Sequence, residues 1–446
     1  MYHTGGQIMN RRLATLIIFM LGMAFSSSVQ ALELNETGKV DIHGFITQGY
    51  LFSDDNNFMA DTEGNGSTQF NEIGINFSSD VSERLRMGVQ FIARDLGKMG
   101  NQAVTIDWAV ADYSFYDWLN LRAGKIKFPH GLYNTARDVD MLRTFIFLPQ
   151  SVYTEGWRDS LNAGSGAGFY GYVPVGIVGS LTYIAFGGNA GMKDDGGEAR
   201  LLEDQVPKEL QLNVLAMDTK RTWGSQLILD SAFSIDGLKL LGGYWGHEFT
   251  ADCSVINGTG SPLFDATNTL VGSKMDTETR VFDIKIRSTT AALEYSWGNL
   301  IFATEYMQNN YRLKLPLSTR VLPSGMINKD FDALAYYGSL TYRFTDWFEL
   351  GAYYSEYFAN KDDKDGAESV AEGTVKAGQE HVKWLKDSCV ALRFDLTPNW
   401  ILKLETHYVD GAALMYSDDG NIAADGVTTT YERYWMLYGA KLSYSF

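Results

Sequence analysis

The sequence is poor in cysteine, proline and basic residues. It has 2 Cys and 8 Pro among 446 residues, and 37 Lys and Arg stand against 54 Asp and Glu. Two thiols exclude a disulfide-rich scaffold and allow at most one bridge or a minimal metal site. The formal net charge of −17 excludes a general nucleic-acid binder, because phosphate contacts need a cationic surface.

Long apolar runs are also missing, except for one near the N-terminus. There the run from Leu13 to Phe25 follows Arg11 and Arg12 and precedes small residues that end at Ala31. This arrangement predicts a signal peptide over 1–31, cleaved after Ala31. An uncleaved membrane anchor is the alternative, although the run is short for a spanning helix. No later run reaches about 18 apolar residues, so we expect no membrane helix in the mature chain.

Glycine and aromatic residues, in contrast, are abundant: there are 45 Gly, 25 Tyr, 25 Phe and 10 Trp. From Gly38 onward, stretches of about ten residues alternate between apolar and polar side chains, which favours half-buried strands. The alternation is clearest in the last stretch. One face there carries Met436, Tyr438, Ala440, Leu442, Tyr444 and Phe446, and the other carries Leu437, Gly439, Lys441, Ser443 and Ser445.

The connectors between these stretches alternate in length, so one end of the sheet has tight turns and the other has long loops. That asymmetry is typical of a bacterial outer-membrane barrel; a soluble β-sandwich is the alternative. Seven short turns and eight long loops predict an all-β, antiparallel up-and-down transmembrane barrel of about 16 strands, a single domain over 32–446. The segment Glu209–Met217 alternates weakly, so 18 strands stay open. The loops are expected near residues 54–69, 95–102, 128–160, 188–221, 250–278, 312–331, 359–386 and 411–430.

The side chains at the two ends of the strands fit this orientation. Aromatic rings lie beside the short turns, as at Tyr116, Trp297 and Trp400, and amphipathic rings favour the lipid–water boundary. The long loops carry acidic runs such as Asp54-Asp55 and Asp362-Asp363, which suit water and not hydrocarbon. Clustered carboxylates can also bind Ca²⁺, so structural calcium is an alternative to simple solvation of these loops. No other cofactor and no other metal is expected.

Two segments add a family resemblance. The terminal Tyr444-Ser445-Phe446 resembles the last strand of Gram-negative outer-membrane proteins, which the barrel-assembly machinery recognises. The stretch from Leu121 to Leu132 resembles the entry to the third loop in phosphate-selective-type (O/P-like) and related trimeric 16-stranded porins. The resemblance implies an outer-membrane homotrimer in contact with lipid and lipopolysaccharide, with Tyr444 and Phe446 as its assembly signal.

The third loop is unusually apolar for a loop. Between Asp138 and Trp157 it reads DVDMLRTFIFLPQSVYTEGW. Exposing Phe145, Ile146 and their apolar neighbours to water would be unfavourable by roughly 25 cal/mol per Å². We therefore expect loop 128–160 to fold into the lumen and narrow it, as in the resembled porins. A subunit contact or a disordered loop is the alternative.

Charges on the polar face would then set the selectivity of the channel. A cationic wall that faces loop acids gives a transverse field and permits an anion preference; alternatively, these charges only solvate a wide lumen. Phosphate specificity is not carried over, because the chain is acidic overall. The pore-lining candidates are Arg84, Arg86, Arg94, Arg122, Lys285, Arg287, Arg343 and Arg393 on the wall, and Arg137, Asp138, Asp140, Arg143 and Glu155 in the loop.

Catalytic motifs do not occur in the sequence: there is no HExxH, P-loop or CxxC, and the six histidines are scattered. We therefore expect no enzyme. We expect a porin for passive diffusion of small hydrophilic solutes or ions. The alternative is a non-conducting barrel that presents acidic loops for binding or adhesion. In an oxidising periplasm Cys253 and Cys389 could pair and pin the fifth loop to the wall.

Overall fold

The computed structural model describes residues 39–204, 212–255, 278–315, 327–416, 419–422 and 429–446. The expected signal peptide over 1–31 lies outside the described residues. So does most of the segment expected to form the fifth loop. No helix among the described residues is long and apolar enough to cross a membrane.

The described residues form a closed antiparallel barrel in which strands pair with their neighbours along the chain. The last strand of the wall, β18, pairs with both β15 and β1 and so closes the ring. A short pair, β16 and β17, forms a separate hairpin in the last loop. The expected barrel of 16 strands is confirmed, and the barrel does not have 18. The strands are β1 (Val40–Ser53), β2 (Asn71–Ser82), β3 (Leu85–Asp95), β4 (Thr105–Tyr116), β5 (Leu119–Lys127), β6 (Ala163–Pro174), β7 (Ser180–Ala190), β8 (Asn213–Asp230), β9 (Leu238–Val255), β10 (Glu278–Trp297), β11 (Leu300–Leu315), β12 (Ile327–Thr345), β13 (Phe348–Phe358), β14 (Trp384–Asp395), β15 (Trp400–Gly411), β16 (Asn421–Ile422), β17 (Thr429–Thr430) and β18 (Tyr434–Ser445).

The two faces of the strands have opposite polarity, as the alternation predicts. On β18, Lys441 and Ser443 are buried inside the barrel, whereas Tyr438 on the opposite face is exposed. The same holds for β14, where Arg393 faces inward and Val390 faces outward. Because successive side chains of a strand point to opposite faces, the pattern of each short strand fixes its orientation in the wall.

Tight turns and long loops lie at opposite ends of the barrel. Turns of two residues join β2 to β3, β4 to β5, β10 to β11 and β12 to β13. In the β10–β11 turn, Gly298 has φ of +58°, a left-handed conformation that glycine adopts at little cost. Within the described residues, the loops carry three short α-helices, α1 (Arg158–Leu161), α2 (Gly197–Asp204) and α3 (Ala367–Ala371).

The fourth loop is shorter than the sequence indicates, because β8 already begins at Asn213. Its pairing with β9 shifts register between Val214 and Ala216 and again between Thr219 and Arg221. Each bulge adds one residue to one strand and moves the following side chains to the other face. Two bulges within eight residues therefore hide the alternation in this part of the strand.

The long strand β10 changes polarity along its length. Near its turn, Trp297 lies on the outer face and Glu294 faces inward, where Tyr133 donates to its carboxylate. At the loop end, Ile284 and Ile286 are buried inside and the outer face is charged. Strands β8 to β12 have 16–20 residues, whereas about 9–11 cross a bilayer. Their loop ends thus extend past the apolar belt, so the outer face there meets water and the inner face packs on loops.

Candidate functional site: a loop inside the barrel

Loop 3 (residues 128–162) joins β5 to β6 and crosses the inside of the barrel. Its apolar centre is buried against the inner wall. Phe145 packs on β13 and β14, and Ile146 and Phe147 pack with residues of β1, β15 and β18. Leu142, in contrast, is 71% exposed, so the expectation that the whole apolar segment is covered is wrong for that side chain.

Asp140 is the first polar anchor of loop 3. Lys403 on β15 and Lys441 on β18 donate to its Oδ1 at 2.9 and 3.1 Å, and Ser443 donates to its Oδ2 at 2.6 Å. Burial opposes ionisation of this carboxyl, but the two ammonium groups outweigh that effect and hold the pKa of Asp140 well below its usual value. A permanent negative charge on the loop therefore ties it to two wall strands.

Glu155 is the second anchor and lies near the other end of the loop. Its carboxylate accepts from Arg137 at 2.8 Å, from Arg94 on β3 at 3.1 Å and from Arg158 at 3.2 Å. Burial would raise the pKa of Glu155, but the three guanidinium groups keep it far below the ordinary range. Arg158 also donates to Glu72 on β2 at 2.6 Å, so this cluster ties the loop to β2 and β3.

Glu305 on β11 is the third anchor and lies on the opposite side of the barrel. It accepts from the hydroxyl of Tyr153, from the backbone N–H of Leu132 at 2.9 Å and from Tyr337 on β12 at 2.6 Å. A fourth contact is made by Asp138, which accepts from Gln90 at 2.5 Å and pairs with Lys127. Loop 3 is therefore held to strands on several sides of the lumen by hydrogen-bonded charges.

Some of the wall residues expected to line the pore do meet at loop 3. Arg94 contacts Glu155, as described above, and Arg393 donates to the backbone carbonyl of Arg143 at 3.1 Å. Others lie elsewhere on the wall. Arg122 pairs with Asp112 on β4, with 2.6 Å between Nε and Oδ1. Three more lie at the turn end. Arg343 pairs there with Glu349 and Asp395, Arg84 is in the β2–β3 turn, and Arg86 faces Asp80.

Lys285 and Arg287 do not line the lumen, and this expectation is wrong. Both lie on the outer face of β10, where Arg287 pairs with Glu248 and stacks 5.5 Å from the ring centroid of Trp223. Their neighbours Ile284 and Ile286 occupy the inner face. The cause is the reversed polarity of this strand, which extends past the apolar belt at its loop end.

The cysteine bridge is not formed. Cys253 and Cys389 are both free and buried. Cys253 lies on β9, where its thiol contacts the backbone carbonyl of Ala251, and Cys389 lies on β14 beside Phe145 and Tyr353. Four strands, β10 to β13, lie between the two in the wall order. Strands are spaced about 4.8 Å apart, whereas a disulfide needs Cα atoms within about 7 Å.

A cavity of about 400 Å³ lies between loop 3 and the second and fourth loops. That volume corresponds to roughly a dozen water molecules. Lys125 donates to the backbone carbonyl of Ile106 at its edge. Cations outnumber acids in the lining: Arg94, Lys125, Arg158 and Lys193 against Asp107 and Asp159.

No protein-family model matches the sequence, and no curated protein matches it either. Solved structures do match its shape. The trimer form of OmpT from Vibrio cholerae superimposes with a TM-score of 0.52 at 13% identity and covers 92% of this chain and 100% of its own. The outer membrane channel DcaP of Acinetobacter baumannii (TM-score 0.51, 10% identity, 94% of this chain) and an anion-selective porin from Comamonas acidovorans (0.51, 11%, 92%) are each covered completely. The chain has the porin fold.

Within this porin fold, several residues that hold loop 3 were not predicted from the sequence. Those on the wall are charged side chains at inward positions of the strands, and Arg158 lies in the loop itself. Lys441, for example, is the one charged side chain on the inner face of β18. A search for charged residues at inward strand positions would find those on the wall, although their partners across the lumen would stay unknown. The missed residues are Glu72, Lys403, Glu405 and Lys441 on the wall and Arg158 in the loop.

The fourth loop also enters this porin-type barrel. Leu202 on α2 packs with inward residues of β8, β9 and β10, and Glu198 accepts a hydrogen bond from Ser160 of loop 3. The second carboxylate oxygen of Glu198 is buried and has no hydrogen-bond partner among the described residues. Burial raises the pKa of Glu198 to about 7. The contact between the fourth loop and loop 3 thus includes a carboxyl group whose pKa is near neutrality.

Proposed function

We propose that this chain is an outer-membrane porin of a Gram-negative bacterium that lets small hydrophilic solutes diffuse passively through a water-filled channel. The observation that carries the proposal is the pair of opposite faces on a closed wall: apolar and aromatic outside, charged and hydrogen-bonded inside. A 16-stranded barrel of this kind is wide enough to enclose water. Loop 3 then sets the cross-section of the channel. No catalytic step is part of the proposal.

The finer proposal is a preference for anions at the cavity beside loop 3. Its lining has two more cations than acids. Arg94 and Arg158 are already paired with loop carboxylates. The two lysines make different contacts. Lys125 donates to a backbone carbonyl, and Lys193 lies 3.8 Å from Asp159. These two lysines supply the field that a passing anion would meet.

Conductance of the purified protein in planar bilayers tests both levels of the proposal. Stable conductance steps are expected from a porin. In a salt gradient, we expect the reversal potential to indicate a preference for anions. The double variant Lys125→Gln/Lys193→Gln should lower this preference. A charge about 7 Å from the ion path in water changes permeability roughly 3-fold, so the double variant should lower the anion-to-cation ratio several-fold.

Lys285→Gln is the matched control, because this lysine is on the outer face of β10 and its removal leaves the lumen unchanged. A silent membrane would contradict the channel and favour the alternative, a barrel that presents its acidic loops for binding. If conductance steps occur but the control and the double variant change the reversal potential equally, the channel is retained and the anion site is contradicted.

We further propose that the chain assembles as a homotrimer, in contact with lipid and lipopolysaccharide and inserted by the barrel-assembly machinery through Tyr444 and Phe446. The support is the porin fold, which OmpT of Vibrio cholerae has in a trimer form. Native mass spectrometry of the folded protein in detergent should give three chains per particle. A mass of one chain would contradict the trimer without affecting the channel. Calcium in the acidic loops stays a prediction.

A further inference from the structure

Strands β14 and β15 carry a compact group of metal-ligating atoms on their inner faces. Cys389 and His407 are direct cross-strand partners, and Glu405 lies two residues before His407 on the same face. All three residues are buried, and one ligand atom from each lies within 4.8 Å of the other two. Sulfur, nitrogen and carboxylate oxygen are thus brought together by neighbouring positions in the wall.

We propose that Cys389, Glu405 and His407 bind one Zn²⁺ ion. Zinc takes thiolate, imidazole and carboxylate ligands at about 2.3, 2.0 and 2.0–2.2 Å in tetrahedral geometry. Such bonds place ligand atoms about 3.3–3.5 Å apart. The atoms of the cluster would therefore have to move by only about 1 Å to enclose an ion. The proposal does not depend on whether the barrel conducts.

The two ring nitrogens of His407 are already arranged as in a metal site. Its Nδ1 lies 3.0 Å from a carboxylate oxygen of Asp387, and Tyr353 donates to Asp387 at 2.7 Å. A metal-ligating histidine almost always donates its second ring N–H to such a carboxylate or carbonyl, which fixes the tautomer and orients the ring. The other nitrogen, Nε2, lies 2.7 Å from Glu405. The ion would replace the proton between these two ligands.

Binding would leave the charge of the buried cluster unchanged. Without metal, both nitrogens of His407 face carboxylates, so both are donors and the ring is an imidazolium. With Asp387 and Glu405 ionised and Cys389 a free thiol, the cluster then carries a charge of about −1. Zinc brings two positive charges, and the imidazolium and the thiol each release one proton. The charge is again −1, and two protons leave per ion.

A small cavity borders the cluster on the side of His407. It has a volume of about 30 Å³, which is the share of one water molecule in the liquid. Asp387 and His407 line it together with Met59 and Met415. Cys389 and Glu405 do not line this cavity, so it meets the cluster only at His407 and its partner Asp387. Glu405 also accepts the backbone N–H groups of Ile146 and Phe147, so the site is directly beside loop 3.

The test is a titration of the full barrel, folded in detergent and freed of metal, with Co²⁺ as a spectroscopic probe and Zn²⁺ as competitor. We expect one ion per chain, a near-ultraviolet thiolate-to-cobalt band, and displacement by zinc. Cys389→Ser should abolish the band and weaken binding at least 10-fold. Cys253→Ser is the matched control, because it removes the other buried free thiol, and it should change neither.

A second measurement uses the unaltered protein and so does not depend on whether a variant folds. In weakly buffered solution near pH 7, zinc should release close to two protons per chain. The proposal is overturned if no saturable binding occurs, if binding releases no protons, or if the thiolate band survives Cys389→Ser. Loss of the band in Cys253→Ser alone would move the site to β9 and overturn it as well.

Discussion

Lys403 and Lys441 are buried lysines that share one carboxylate, Asp140. Replacement Asp140→Asn keeps the shape of the side chain but removes the carboxylate paired with Lys403 and one of the two carboxylates paired with Lys441, the other being Glu72. Breaking a buried pair by removing one partner costs about 3–5 kcal/mol, because the remaining charge stays desolvated. We expect a loss of this order in the free energy of unfolding, measured by denaturant titration of the protein folded in lipid vesicles.

The matched control is Asp80→Asn. Asp80 faces Arg86 at 3.9 Å, but their side chains are 78% and 62% exposed. Exposed pairs contribute about 0–1 kcal/mol, so this substitution should be almost silent. Equal effects of the two substitutions would show that the Asp140 cluster is not held as a buried ion network.

The position of single residues could be predicted from the sequence only where a strand is regular and short. The inward placement of Arg94, Arg343 and Arg393 followed from period two, and the structure places all three on the inner face. Their partners could not be predicted. Which carboxylate meets Lys441 depends on how loop 3 crosses the lumen, and no local pattern in the sequence encodes a contact between positions 140 and 441.

At the level of elements, helix α2 should respond to pH through Glu198. Its pKa of about 7 in the folded protein lies above the ordinary carboxyl value of 4.5, so the docked helix favours the protonated form. The stabilisation is complete below pH 4.5 and is lost as the pH rises towards and through 7. A difference of this size corresponds to at most on the order of 3 kcal/mol. Hydrogen exchange of the amides of 197–204, corrected for intrinsic rates, should show more opening at pH 7.5 than at 5.5.

Glu198→Gln mimics the protonated carboxyl and should make the opening free energy of α2 independent of pH over this range. Glu368→Gln removes an exposed carboxyl from α3 in the seventh loop and should leave the pH dependence of α2 unchanged. Persistence of the pH dependence in Glu198→Gln would assign it to another group, and Asp159, whose charge acts on Glu198, is the first candidate.

Strand β10 shows why parity fails for some elements. The rule that apolar faces point outward holds only where lipid is outside. At the loop end of β10, water is outside and loops fill the inside, so Phe282 and Ile286 pack inward and Lys285 points outward. The sequence alternates in both parts of the strand, but the apolar residues occupy even positions towards the loop and odd positions towards the turn. The height of a residue relative to the bilayer decides whether an apolar side chain faces outward to lipid or inward to the loops. That height depends on strand length and tilt.

The whole molecule is organised around an apolar belt between two rings of aromatic residues. On β15, Trp400 lies next to the turn, Tyr408 lies towards the loops, and Leu404 is midway between them on the outer face. Exposed aromatic side chains also lie next to the turns on β10 and β12, at Trp297 and Phe344. The belt is what would place the barrel in a bilayer, and it makes the cost of a charge depend on depth.

Leu404→Arg should therefore destabilise the folded barrel by about 2–4 kcal/mol, because it places a cation at the midplane of the bilayer. Tyr408→Arg puts the same side chain at the lipid–water boundary and should cost about 0–1 kcal/mol through the charge. Denaturant titrations in lipid vesicles give both values. Equal costs at the two positions, or none at Leu404, would mean that the outer face of the barrel does not contact hydrocarbon, and the proposed channel would have no membrane to cross.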